Sequence, residues 1–227
     1  MFQEYIKILS QNALFANIST KELENLIACL NPSLKDYSKN EYVALQGDTA
    51  KYLSVILQGS ISLIKESYSG NSTLIGTLKQ GDIFGEALIF MDKAIYPVSI
   101  LSIEKTKIMY ISKEKIPGQC ENTCAHHNNL ITNLLGILSK KVLMLNKKVD
   151  YLTIKSMRQK LITYILDEYK KAGNLSFTLP HNRNDLSNFL NVSRSSMSRE
   201  LCRMRDEGII AINRQHMTII ALDKLIY

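Results

Sequence analysis

Between Ile131 and Leu152, seven apolar residues fall at successive spacings of 4, 3, 4, 3, 4 and 3: Ile131, Leu135, Leu138, Val142, Leu145, Val149 and Leu152. This is a heptad seam, with Leu135, Val142 and Val149 at a and the other four at d. Two β-branched residues among the a positions, with leucine at most d positions, favour a parallel two-stranded coil. The alternative is one amphipathic helix packed on its own domain. Leu134, Ile137, Leu143 and Met144 are apolar but lie off the seam. A coil surrounded by water would carry polar residues there. The helix is therefore expected to bury one face against a second chain and another against its own fold.

The sequence changes character on either side of that helix. Its 227 residues and 25.8 kDa suit two domains of ordinary size. With 45% hydrophobic and 22% charged residues, the composition is globular and excludes wholesale disorder. Near the start, Ser19-Thr20-Lys21-Glu22 fits a capping box, Leu23, Leu26, Ile27 and Leu30 form one stripe, and Asn31-Pro32 ends it. From about Tyr37 to Ser112 the period becomes two, as in Leu53, Val55 and Leu57. Turn signals recur at Gly47-Asp48, Gly59, Ser69-Gly70-Asn71, Gly81-Asp82 and Gly85, and Pro117-Gly118 closes the section. Short strands at such spacing predict an antiparallel roll or barrel. After the seam, Met157, Leu161, Tyr164, Ile165 and Tyr169 predict another helix ending near Gly173, and Phe177 to Leu179 fits one short strand.

Charge separates the two ends. Residues 1–118 hold 12 basic and 12 acidic residues, residues 119–154 hold 4 and 2, and residues 155–227 hold 12 and 7. All seven arginines (Arg158, Arg183, Arg194, Arg199, Arg203, Arg205 and Arg214) lie in the last third. Arginine makes bidentate contacts with phosphate and guanine, whereas lysine mostly decorates solvated surface. The C-terminal third is thus the expected nucleic-acid end.

Within it, Asn182 to Gly208 reads as two helices joined by a short turn. Asn182 caps the first helix, Leu186 and Leu190 are its buried residues, and Ser187 is small where the helices cross. Asn191 suits the left-handed turn and Val192 fills the corner. Ser193 caps the second helix, which buries Met197, Leu201 and Met204. Arg194, Ser195, Ser196, Ser198, Arg199 and Arg203 are left facing outward, an arrangement suited to phosphates and base edges in a major groove. Ile209 to Leu222, alternating around Asn213-Arg214-Gln215, reads as a two-stranded wing. The alternative is a helical hairpin that happens to be basic.

The chain resembles the cyclic AMP receptor protein/fumarate-nitrate regulator (Crp/Fnr) family of bacterial transcription regulators over nearly its whole length. The resemblance is carried by Gly81-Asp82-Ile83-Phe84-Gly85-Glu86, by the helix from about Asn128 to Leu152, and by Val192 to Leu201. It implies an α+β fold: a cyclic-nucleotide-binding-like sensor β-roll (1–118), a coiled-coil dimer helix (119–154) and a winged helix-turn-helix (155–227). It also implies a homodimer on inverted-repeat double-stranded DNA, with a small-molecule effector and RNA polymerase as further candidate partners. By the same resemblance, Arg194 meets phosphate or an outer base, Ser195 and Ser198 meet base edges, and Arg199 meets a guanine. Ser195 stands where the family's cyclic AMP receptor has a glutamate, so the half-site is expected to be a different one.

The sensor departs further. The family holds the nucleotide phosphate with an Arg-Ser pair ten and eleven residues after the ribose-binding glutamate. Here Glu86 is followed at those positions by Tyr96 and Pro97, and the roll has no arginine. The adenine positions are Leu143 and Met144. Cyclic AMP is therefore not the expected effector. Glu86, Tyr96, Leu143 and Met144 outline a pocket for a small hydrophobic or aromatic ligand, with a side-chain-filled roll as the alternative. Cys120, Cys124 and His127 would share a helix face and form a second candidate sensor, binding metal or acting as a redox pair. No fourth ligand is evident, and buried cysteines at the helix start are the alternative. Cys29 and Cys202 read as core residues. No cofactor is identified.

A cupin-like metal enzyme with an accessory basic domain is the competing function. It would need histidines inside the roll, and the four histidines (His126, His127, His181 and His216) all lie outside it. The expectation is a non-enzyme. The N-terminus carries Glu4 and lacks a signal-peptide core, and no apolar run is long enough to span a bilayer, so a cytoplasmic protein without a membrane partner is expected.

Overall fold

A computed structural model describes residues 2–67, 71–117 and 125–226. The expected turn at Ser69-Gly70, the boundary at Gly118, and Cys120 and Cys124 lie outside these residues. The chain divides into two compact units, Met1–Lys140 and Lys141–Tyr227.

The first unit opens with α1 (Ile6–Ser10) and α2 (Thr20–Leu30). The capping box starts α2: Glu22 accepts a hydrogen bond from the Ser19 N–H at 2.8 Å. Asn31, left-handed at φ 43°, ends it. Eight strands follow: β1 (Ser33–Tyr37), β2 (Tyr42–Ala44), β3 (Tyr52–Gln58), β4 (Ser60–Glu66), β5 (Ser72–Lys79), β6 (Ile83–Phe84), β7 (Ser99–Ser102) and β8 (Thr106–Ser112). They form two antiparallel four-stranded sheets, ordered β1-β8-β3-β6 and β2-β7-β4-β5.

The first sheet is covered on both faces. Leu53, Val55, Leu57, Met109 and Ile111 pack with α1, α2 and the start of α3 (Ala125–Thr153), which contributes Leu130 and Leu134. Ile56 and Ile108 point the other way and pack with Ile61 and Ile100 of the second sheet. Five successive residues of β3 are therefore buried, as expected of a strand between two layers. Asn133 in α3 donates to the carbonyls of Leu14 (3.0 Å) and Ala16 (2.8 Å), fixing α3 to the N-terminal segment. The β3–β4 reversal requires Gly59: φ is +80°, and a Cβ there would lie 2.5 Å from the Lys105 carbonyl oxygen.

In the second unit α4 (Met157–Ala172) ends on left-handed Gly173, and β9 (Ser176–Thr178), α5 (Arg183–Leu190), α6 (Arg194–Asp206), β10 (Ile210–Asn213), β11 (His216–Ile219) and α7 (Asp223–Ile226) follow. Leu161, Tyr164 and Ile165 of α4 pack with Leu186, Leu190, Met197, Leu201 and Met204, and Tyr151 from the last turns of α3 joins them. The wing differs from expectation. It is a three-stranded antiparallel sheet ordered β10-β11-β9, because Phe177 pairs with Met217 and recruits the short strand beside the hairpin. The fold is α+β, with a β-roll domain followed by a winged helix-turn-helix.

Candidate nucleic-acid interface

Local chemistry sets the helix pair. The Asn182 side chain accepts from the N–H groups of Asn184 (2.9 Å) and Asp185 (3.0 Å) and so satisfies the open end of α5. Asn191 adopts φ 51°, ψ 55°, and Val192 packs partly buried against the core. Lys160 reaches from α4 through the core, and its ammonium donates to the Leu190 carbonyl at 3.3 Å, where the α5 dipole is negative. Ser193 stands at the N-cap of α6 but its side chain makes no cap bond. Its hydroxyl pairs instead with that of Ser195 at 2.8 Å, which leaves backbone N–H groups at the start of α6 open to an incoming anion.

Met197, Leu201 and Met204 form the buried side of α6. Arg194, Ser195, Arg199 and Arg203 are exposed, and Ser196 and Ser198 are half-buried. Arg194 has no ion-pair partner among the described residues. Among the described residues Arg199 reaches only the Ser196 hydroxyl, at 3.4 Å. Arg203 donates to Glu200 at 3.3 Å, and Glu200 also receives Arg158 of α4 at 3.3 Å. Arg158 spans to Glu207 as well, which lowers the Glu207 pKa through that hydrogen bond and raises its own. The sequence reading missed this brace, because Arg158 and Glu207 are 49 residues apart.

One expectation is overturned: Cys202 is exposed rather than in the core. It stands four residues after Ser198 and three after Arg199, so helical spacing places it on their side. That signal was present in the sequence; counting cysteine as apolar hid it. Cys29 is half-buried.

In α3 the seam residues Leu135, Val142, Leu145, Val149 and Leu152 are exposed in the single chain. Ile131 and Leu138 are half-buried against the core of the first unit, as is off-seam Ile137. Leu143 and Met144 are exposed.

In the roll, Glu86 and Tyr96 are buried. Burial, reinforced by Tyr37, Asp48 and Glu86, pushes the Tyr96 phenol up to about 12. His127 is buried and its Nδ1 has no hydrogen-bond partner among the described residues. Among the described residues no group of metal-binding side chains assembles, and no helix is long and apolar enough to cross a membrane.

A cyclic nucleotide-binding domain model matches residues 34–123, and a Crp-like helix-turn-helix domain model matches residues 159–226. The chain is 20% identical over 210 residues to the anaerobic regulatory protein of Bacillus subtilis, spanning 90% of this chain and 86% of that protein. It is 22% identical over 169 residues to the CRP-like protein Clp of Xanthomonas campestris, spanning 72% and 74%. In fold it resembles the catabolite activator protein of Thermus thermophilus, with a TM-score of 0.54 at 19% identity over 94% of this chain and 96% of that one. Roll, wing and paired helices occur in the order those two domain models require, and the chain belongs to the Crp/Fnr family of DNA-binding transcription regulators.

Proposed function

We propose that the protein is a cytoplasmic, non-enzymatic regulator that binds inverted-repeat DNA as a homodimer paired along α3. The observation that carries this reading is the outward side of α6. Arg194 and Arg199 are exposed there without carboxylate partners among the described residues, beside small serines that let the helix approach a groove closely. The dimerisation segment is taken as 119–154, between sensor (1–118) and reader (155–227). A parallel seam would give two copies of α6 related by a two-fold axis, which suits a palindromic site.

The effector is a molecule other than cyclic AMP. Tyr96, a buried neutral phenol, and Pro97 stand where a nucleotide phosphate would need a cation and a hydroxyl. Arg199 is assigned to a guanine, Arg194 to phosphate or an outer base, Ser195, Ser196 and Ser198 to base edges or phosphate, and Arg203 to phosphate. Replacing Arg199 with Ala should cost about 1–3 kcal/mol at one base pair and relax preference there. Selection from randomised duplexes tests this; a profile identical to that of the parent protein would refute the assignment.

A further inference from the structure

Beside Tyr96 in the roll lies a cavity of about 410 Å³. Its size falls in the range of roughly 300–1,000 Å³ usual for small-molecule sites. Four tyrosines from separate parts of the roll converge on it: Tyr37 of β1, Tyr52 of β3, Tyr96 before β7 and Tyr110 of β8. Lys35 and Lys51 stand exposed at its rim.

Hydrogen-bond donors outnumber carboxylates in this wall. The Tyr37 and Tyr110 hydroxyls lie 2.6 Å apart, so one donates to the other and one phenolic hydrogen of the pair remains to be offered. Tyr96 is largely buried and lines the cavity, and its hydroxyl, which is not fully enclosed, makes no hydrogen bond among the described residues. A phenol is protonated, and so a donor, across the physiological range, and burial only strengthens that for Tyr96. Burial likewise raises the pKa of Tyr110, with the Tyr37 hydrogen bond adding to it. The one carboxylate in the lining, Asp48, already accepts the Leu45 N–H at 2.8 Å. Lys35 lies 4.6 Å from the centroid of the Tyr37 ring, turned toward the aromatic wall, and the Tyr52 and Tyr110 rings meet edge-on at 5.6 Å. Phenolic donors, ring surfaces and two ammonium groups together call for a flat ligand rich in acceptors and negative in charge.

We propose that this cavity binds a small aromatic carboxylate, its ring among the tyrosines and its carboxylate toward Lys35 and Lys51. Binding itself is the readout, so the proposal stands or falls independently of DNA recognition. The full-length protein is titrated by calorimetry with benzoate, phenylacetate and 1-naphthoate, and with neutral phenylacetamide. Saturable binding of at least one carboxylate is expected. The double variant Lys35→Gln/Lys51→Gln alters only exposed side chains. It should weaken carboxylate binding by about tenfold or more, while leaving the amide nearly unaffected. Tyr96→Phe, which removes a donor but keeps the ring, should weaken the carboxylate as well. Absence of saturable heat with all three carboxylates would overturn the proposal, as would a carboxylate affinity unchanged in the double lysine variant.

Discussion

Leu145→Lys is the sharpest test of the α3 seam. In the single chain Leu145 is 58% exposed and sits at a d position, where a parallel partner would present its own Leu145. Complete burial of a leucine is worth about 1.5–3 kcal/mol, so covering the exposed half in a dimer contributes about 1 kcal/mol per chain. The substitution removes that twice and sets two ammonium groups face to face. Together these should cost roughly 3–4 kcal/mol, or about 10²–10³-fold in the dimer dissociation constant. Leu138 is a poorer site, because it also packs against the core of the first unit and a lysine there would damage the roll itself. Sedimentation velocity over a concentration series reads the dissociation constant, and circular dichroism verifies that the monomer remains folded. Affinity for paired half-sites should fall with dimerisation, while contact with a single half-site persists. A Leu145→Lys protein that dimerises at the same concentrations as the parent would refute the seam.

Two further outcomes concern the reader domain. Asn182→Ala removes both hydrogen bonds that cap α5 and should lower stability by about 1 kcal/mol, seen as a drop in Tm; an unchanged Tm would remove the cap from the account. Asp167 bridges Tyr151 (2.5 Å) and Lys147 (2.9 Å) of α3, and although burial acts to raise its pKa, those partners hold it below the usual aspartate value. The stability it contributes is therefore complete above the ordinary aspartate range and disappears as pH falls through the depressed folded value. Asp167→Asn should flatten that acid dependence, measured as Tm against pH from neutrality to about pH 3; parallel curves for the two proteins would contradict the linkage.

The helix-turn-helix was readable because its signals are local. Asn182, Asn191 and the Met197-Leu201-Met204 side each act within a few residues of where they stand. What escaped is long-range. In β1 only Tyr37 is buried, and β5 is an edge strand that is mostly exposed, so neither shows clean alternation in burial. The wing's third strand exists through pairing between Phe177 and Met217. The tyrosine cavity joins residues as distant as Tyr37 and Tyr110, which only the β1–β8 and β3–β8 pairings bring together. The exposure of Cys202, by contrast, was available from helical spacing alone.

Glu200 carries a negative charge on the very helix assigned to a polyanion, and Arg158 and Arg203 flank it. If Arg203 turns to a DNA phosphate, as proposed, Arg158 remains to neutralise the glutamate. Arg158 thus works as an internal counter-ion, and its loss would leave an unshielded acid repelling the duplex. A scan of arginines by binding affinity alone would then score Arg158 as a nucleic-acid contact, although it stands on α4 and pairs with Glu200 and Glu207.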